Sequence, residues 1–427
     1  MFDRRQFRTT SVATPVAASA MHSQTKAADE KKPINVGVMG LSRGMSLASD
    51  LAKIDGVTVK YICDVDSQRL GSAAEKLEKQ IGTRPEPVED FRRILDDKQI
   101  DALVCAAPNH WHGPATILAC KAGKHVYVEK PCSHNAQEGE WMIEAAKKYN
   151  RAVQMGTQRR SIPEMIAAMK KLHDGVIGKV YLSRGYYSNQ RGSIGSEKPS
   201  DPPANLNYAL WEGPAPHRDY QSNIVHYNWH WLWHWGGGEL ANNGVHTLDI
   251  CRWGLNVDFP VRTTISGGRY CYDDDQQTPD TQVVAYEFDS GQQITWQGNS
   301  CNKHNVNPFV AFYGTEGSME VDSNGTYRIY DRANKMVEEV KGTTSGQPEH
   351  LLNFVEAARS GDASSLNQPI TEGHRSTLLC HLGNIAYRSG QQVTSDSKTG
   401  RIDGPAEQQE LWQREYSPEW KSDVTTI

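Results

Sequence analysis

Ile34-Asn35-Val36-Gly37-Val38-Met39-Gly40-Leu41-Ser42-Arg43-Gly44 is the stretch whose reading decides the fold. An apolar run, read as a strand over 33–40, meets a glycine-rich turn and then a helical pattern at about 45–54. Short, mostly apolar runs recur at 57–64, 100–106, 125–129 and 152–155, and helical patterns near 67–80, 89–98, 112–122 and 135–149 lie between them. Strands that alternate with helices imply right-handed crossovers and a parallel, doubly wound sheet.

Past a linking helix at about 162–174 the texture changes. Runs at 180–188, 261–272, 281–288, 292–297, 309–313 and 318–321 read as strands, some joined by turns such as Asp289-Ser290-Gly291. No comparable helix separates the runs after 260, so this second sheet is expected to be mostly antiparallel, with helices near 349–360 and 371–389 after it. The expected organisation is therefore a lead-in over 1–32, a nucleotide-binding α/β domain over 33–156, and an α+β domain over 157–427 for substrate and oligomer contacts.

Composition bounds the function. The chain has 427 residues and a formal net charge of −5, and it has no long block of Lys or Arg. Nucleic-acid binding thus gets no electrostatic support. No apolar run approaches the ~20 residues needed to span a bilayer. Arg4-Arg5-Gln6-Phe7, the weakly apolar run 11–20 and Ala18-Ser19-Ala20 follow the order of a twin-arginine export signal, which predicts a periplasmic protein. Cleavage after Ala20 would remove three arginines and one aspartate and take the charge from −5 to −7. The eight cysteines fit no metal spacing and are expected to be buried thiols.

The first turn approximates a dinucleotide fingerprint: Gly37, Gly40 and Gly44 flank Ser42 and Arg43, with Ser42 at the place of the second glycine. Exposed N–H groups at the following helix start would receive the pyrophosphate. Asp64 ends the second strand 24 residues after Gly40 and can accept hydrogen bonds from ribose hydroxyls. Its charge repels a 2′-phosphate, so NAD is expected over NADP, although Arg69 is close in sequence. Asp64 could also be only a helix cap. Pro108-Asn109-His110-Trp111-His112 follows the third long strand at the edge where such sheets bind ligands, with Asn109 as a helix cap the plain alternative.

Lys124-His125-Val126-Tyr127-Val128-Glu129-Lys130-Pro131 presents a lysine at that same edge. Pro131 biases Lys130 towards an extended conformation. An ammonium there can hydrogen-bond a substrate hydroxyl and stabilise a developing alkoxide. In Trp235-Gly236-Gly237-Gly238-Glu239-Leu240-Ala241-Asn242-Asn243-Gly244-Val245-His246-Thr247-Leu248-Asp249, an α-helix would align Asn242, His246 and Asp249 on one face. His246 could then take a proton, or be a structurally satisfied residue. Just before lies His226-Tyr227-Asn228-Trp229-His230-Trp231-Leu232-Trp233-His234-Trp235. As a helix it would align three histidines; as a strand it would align four tryptophans. No Cys or acid joins the histidines at ligand spacing, so no metal is expected, and Trp229 and His230 are candidates to face a sugar ring. Gln158, Arg159, Arg160 and Tyr187 are further candidates for the substrate pocket, by position alone.

Together, the Gly37–Gly44 turn, the Pro108–His112 segment, the Glu-Lys-Pro context and the glycine–histidine segment resemble the Gfo/Idh/MocA oxidoreductases, from about residue 33 to 420. The resemblance implies a Rossmann domain with an open-faced C-terminal sheet used in homo-oligomer contacts. It implies that Glu129 and Lys130 meet the cofactor, that Lys130 orients substrate and nicotinamide, and that His246 is the acid/base. The family usually has Asp four residues before that histidine, where this chain has Asn242; the asparagine lacks the carboxylate that would raise the imidazole's basicity and is expected to hold the substrate hydroxyl. The expected activity is NAD-dependent oxidation of a secondary hydroxyl on a sugar, sugar derivative or cyclitol. Export would require a tightly bound cofactor, which makes a redox-neutral, NAD-dependent glycosidase the alternative. A non-catalytic NAD- or sugar-binding sensor is the third reading.

Overall fold

The first turn leaves strand β1 (Ile34–Met39) and enters helix α1 (Arg43–Leu51) in the computed structural model, which describes residues 31–303 and 308–427. The expected export signal lies outside the described residues. Strands β2 (Val57–Cys63), β3 (Glu86–Val88), β4 (Ala102–Cys105), β5 (His125–Val128) and β6 (Val153–Met155) complete a parallel six-stranded sheet in the order β3-β2-β1-β4-β5-β6. Helices α2 (Ser67–Ile81), α3 (Arg92–Asp96), α4 (Asn109–Lys121) and α5 (Ala136–Lys148) form the crossovers. Every residue of β4 is buried, as expected of a strand covered on both faces. β3 escapes sequence reading because it is a three-residue edge strand containing Pro87, tolerated there because an edge needs no donor on its outer side.

Register aligns the chemistry. Met39 pairs with both Cys63 and Cys105, and Cys105 pairs with Val128. The residues that follow, Gly40, Asp64, Ala106 and Glu129, therefore leave the sheet at one edge.

After α6 (Pro163–His173), β7 (Val180–Ser188) opens a second sheet. A short α7 (Tyr208–Glu212) and α8 (Val245–Leu255) precede β8 (Arg262–Gly268), β9 (Thr281–Glu287), β10 (Gln293–Asn299), β11 (Val310–Gly314), β12 (Gly317–Val321), β13 (Tyr327–Asp331) and β14 (Met336–Val340). Then come α9 (Gln347–Ser360), α10 (Ile370–Ser389) and β15 (Val393–Thr394). The nine-stranded order is β14-β13-β12-β11-β7-β10-β9-β8-β15, antiparallel except for the β10–β7 pair. β14 is an exposed edge strand carrying Glu338 and Glu339, so it shows no apolar alternation to read. One apolar cluster runs from Met39 and Cys105 to Trp296 and Phe312, and both sheets lie in a single compact unit, Pro33–Ile427.

Three expectations need correction. Residues 228–231 form a 3-10 turn, not a helix or strand that aligns histidines or tryptophans. His226, His230 and His234 turn to separate partners: the Asp66 carboxylate, the Tyr227 carbonyl and the Pro216 carbonyl. Second, Leu240–Gly244 is a π turn ahead of α8, so the α-helical face joining Asn242, His246 and Asp249 does not form. Asp249 is instead buried against Arg160. Third, six cysteines are buried, but Cys271 is exposed and Cys301 half-buried, because the run past Gly268 leaves the sheet.

Candidate active site

A cavity of about 260 Å³ opens along the aligned sheet edge. Gly40, Ser42, Arg43, Asp64, Pro108, Asn109, His112, Glu129 and Lys130 line one side, and His226, Trp229 and His230 close the other. Gly40 has φ +87°, and a Cβ there would lie 2.5 Å from the Ala106 carbonyl oxygen, so the turn requires glycine. Gly37 and Gly44 do not line the cavity. A Cβ at Gly37 would meet Ile94 at 2.3 Å and one at Gly44 would meet Val38 at 2.9 Å; both glycines serve close helix–strand packing.

The edge fits a dinucleotide. Ser42 precedes α1 without making a side-chain cap, and the first turn of α1 holds no acid, so helix N–H groups and dipole favour an anion there. Asp64 does not cap α2; Asp66 does, accepting from the Gln68 and Arg69 N–H groups. Asp64 accepts from the Leu41 N–H at 2.9 Å and faces the cavity, as does Arg69. Asn109 is the first helical residue of α4, not its cap. His112 has ring nitrogens 2.6 Å from the Pro131 carbonyl and 2.7 Å from the Ala107 carbonyl, and burial lowers its pKa. It braces the turns after β4 and β5. Arg43 donates to Glu129 at 2.9 Å, a pairing across 86 residues that no local pattern reveals.

At the end of the cavity the Lys130–Pro131 peptide is cis. The Lys130 ammonium donates to the Asn242 backbone carbonyl at 2.8 Å and to its side-chain oxygen at 3.0 Å. That carbonyl lies in the π turn, where the regular i to i+4 pairing is broken. Burial lowers the Lys130 pKa, partly countered by Glu129 and Glu239. His246 Nδ1 is buried with no hydrogen-bond partner among the described residues. Burial, then the positive charges of Arg159 and Lys130, hold His246 well below pKa 6.5, so its imidazole is neutral. An aspartate at 242 would have opposed that shift; asparagine supplies no charge.

Trp229 and His230 stack with ring centroids 3.6 Å apart. His230 Nδ1 donates to the Tyr227 carbonyl at 2.6 Å, which leaves Nε2 as an acceptor. Tyr187 lies in a separate network: its hydroxyl accepts from Arg191 at 3.1 Å, and Arg191 pairs with Glu239 at 2.8 Å. Arg191 carries no motif and was missed. Arg159 donates to the Ser323 carbonyl at 3.2 Å, and one of its buried guanidinium nitrogens has no partner among the described residues. Gln158 begins a 3-10 turn packed beside Gly346. Of these three, Arg159 alone is electrostatically tied to His246 and Lys130.

Residues 34–157 match the family model described as "Oxidoreductase family, NAD-binding Rossmann fold", and residues 185–422 match "Oxidoreductase family, C-terminal alpha/beta domain". The chain belongs to the Gfo/Idh/MocA oxidoreductase family. It is 27% identical to the scyllo-inositol 2-dehydrogenase (NAD(+)) of Bacillus subtilis (strain 168), over 86% of this chain and 97% of that protein. A "Glycosyl hydrolase family 109 protein" of Saccharopolyspora erythraea is 29% identical over 36% of this chain and 35% of its own length. Two further curated relatives, an inositol and a levoglucosan dehydrogenase, are matched over only 62% and 64% of their own length. Levoglucosan dehydrogenase in complex with NADH and levoglucosan superposes with a TM-score of 0.66 at 18% identity, covering 85% of this chain and 99% of that one. At that identity the likeness speaks for the fold alone.

Proposed function

We propose that this family member oxidises a secondary hydroxyl of a sugar, sugar derivative or cyclitol and passes the hydride to NAD. The carrying observation is the Lys130 ammonium at the sheet edge, anchored on Asn242 beside a neutral His246. Bound NAD supplies the hydride acceptor. Lys130 donates to the substrate hydroxyl and stabilises its alkoxide character as the carbon loses hydride. His246, with a free ring nitrogen, takes the hydroxyl proton. Asn242 sets the Lys130 geometry, while Trp229, His230 and Arg159 meet the rest of the sugar. Residues 33–156 serve the nucleotide and 157–427 the substrate.

Purified protein given NAD and a panel of sugars and cyclitols should form NADH with at least one of them. The glycosidase relative supports one further reading, redox-neutral glycoside cleavage. Cleavage without net NADH, with deuterium entering the sugar from heavy water, would establish that reading against the first. No turnover of either kind would leave a sensor.

The pH dependence follows from the two groups. The working form of His246 is neutral and its pKa lies well below 6.5, so the acid limb of kcat/KM should fall below pH 6.5. The working form of Lys130 is the ammonium and its pKa is lowered from 10.5, so activity should fall as pH rises, with the midpoint of that alkaline limb at a pH lower than 10.5. A pH–rate profile checks both, and an acid limb at or above 6.5 removes His246 as the base.

Asp64 carries the proposed preference for NAD. Asp64→Ala should raise the ratio of NADP to NAD affinity by about tenfold or more, since it removes both a ribose acceptor and the repulsion of a 2′-phosphate. Nucleotide titration reads that ratio, and an unchanged value excludes Asp64 as the selecting group.

The proposal includes twin-arginine export to the periplasm with NAD already bound, and a homo-oligomer formed through the C-terminal sheet. Arg4-Arg5 supports the first. The partly exposed Tyr181 (48%) on β7 and Val283 (45%) on β9 support the second. Nicotinamide co-purifying with the protein, and light scattering of the purified chain, test them.

A further inference from the structure

Cys271 and Cys301 are the two cysteines of this chain that are not buried. They lie 30 residues apart in the chain, yet their sulfurs and an Asp280 carboxylate oxygen are all within 4.8 Å of one another. Two thiols so placed need only a small side-chain adjustment to bond.

A metal is a poor occupant of this cluster. The Asp280 carboxylate already accepts from the Arg269 guanidinium at 3.0 Å, the Tyr270 N–H at 2.8 Å, the Cys271 N–H at 3.1 Å and the Thr281 hydroxyl at 2.8 Å. Arg269 also reaches the Cys301 sulfur at 3.7 Å, putting a positive charge where a cation would sit.

We propose that Cys271 and Cys301 form a reversible disulfide, with a small-molecule disulfide such as oxidised glutathione as the oxidant. The exposed Cys271 thiolate attacks one glutathione sulfur, and the glutathione S–S bond breaks to release one glutathione thiol. Cys301 then attacks the Cys271 sulfur of the mixed disulfide and releases the second. The protein gives up two electrons and two thiol protons, and both glutathiones leave reduced. The six buried thiols are inaccessible to the reagent; burial pushes Cys105 and Cys120, for example, up to about 12.

The bond would brace the wall of the ligand cavity. Cys271 lies on the segment after β8, whose Gln277 and Thr278 N–H groups donate to the Trp231 carbonyl at 3.0 and 3.1 Å. Cys301 follows Ser300, whose carbonyl accepts from the Arg191 N–H at 2.8 Å; the Arg191 side chain lies over the Trp231 ring at 4.6 Å. Both strands of the staple thus support Trp231, beside the cavity-lining His230.

The test compares full-length protein treated with oxidised glutathione or with dithiothreitol. Oxidised protein should lose two native-state alkylatable thiols, gain a linked 271–301 peptide in non-reducing mass mapping and melt several degrees higher than the reduced form. Cys271→Ser, at an exposed site, and Cys301→Ser, at a half-buried one, should each abolish the peptide and the redox-dependent shift. Both thiols still alkylating at the reduced rate after oxidation, or becoming protected only when zinc is added to reduced protein, would overturn the proposal. The result does not depend on the reaction proposed above.

Discussion

Lys130→Ala should lower kcat/KM for hydroxyl oxidation by about 10²- to 10³-fold, or about 2.7–4 kcal/mol of transition-state stabilisation, while nucleotide binding persists. The reason is positional. The Lys130 side chain is the charged donor at the cavity end, held by two Asn242 oxygens at 2.8 and 3.0 Å. Its charge matters most when the hydroxyl becomes alkoxide-like, so the loss should fall on kcat more than on KM. Truncation also strips Asn242 of its donor, and Lys130→Met, which keeps most of the volume, controls for packing. Both variants should bind NAD with near-normal affinity, because the proposed pyrophosphate and ribose contacts lie at Gly40–Arg43 and Asp64. A variant that keeps more than a tenth of wild-type kcat removes Lys130 from the chemistry.

Asp249→Ala should destabilise the protein by about 3–5 kcal/mol in chemical denaturation. Asp249 is 0% exposed and takes a two-point contact from Arg160, at 2.8 and 3.0 Å. It also accepts from Gln368 at 2.9 Å and from Ser376 at 2.6 Å, tying α8 to α10 and its preceding turn. Removing the carboxylate leaves a buried guanidinium without its partner. Burial alone would raise the Asp249 pKa, but Arg160 outweighs it and the pKa lies below 3.8. A group depressed in the folded state stabilises above its unfolded pKa and loses that effect as pH falls through the folded one. The wild-type-minus-variant difference should therefore be constant from about pH 5 upward and shrink only below pH 3.8. A cost under about 1 kcal/mol would show that the Arg160 guanidinium finds other compensation once the carboxylate is gone. Because α8 also carries His246, the variant should lose activity at temperatures below its own melting point.

How much of this was legible can be judged residue by residue. The run 34–44 announced its strand, turn and helix because an apolar run, a glycine turn and helical spacing follow one another there, and β7 spans the expected Val180–Ser188. Lys130 was legible because a lysine just past the end of an apolar strand, followed by proline, has few structural uses. Residues 226–235 were not legible. Their histidines and tryptophans fit two periodicities, and the chain adopts neither, since Trp211 and Asp66 supply partners from elsewhere. Asp249 misled for a similar reason: its α-helical spacing to His246 holds within α8, but the π turn before α8 takes Asn242 off that face and Arg160 takes the carboxylate.

By itself, then, the sequence determined the alternation of elements, the sheet edge that carries the candidate site, and the residue types gathered there. These follow from local periodicity and turn chemistry, which act over a few residues. Only the tertiary structure decided which distant groups meet: Lys130 with Asn242, Arg43 with Glu129, Arg160 with Asp249, Cys271 with Cys301. Such pairs depend on how whole elements pack, an outcome of the sum of many small burial terms that no single segment encodes.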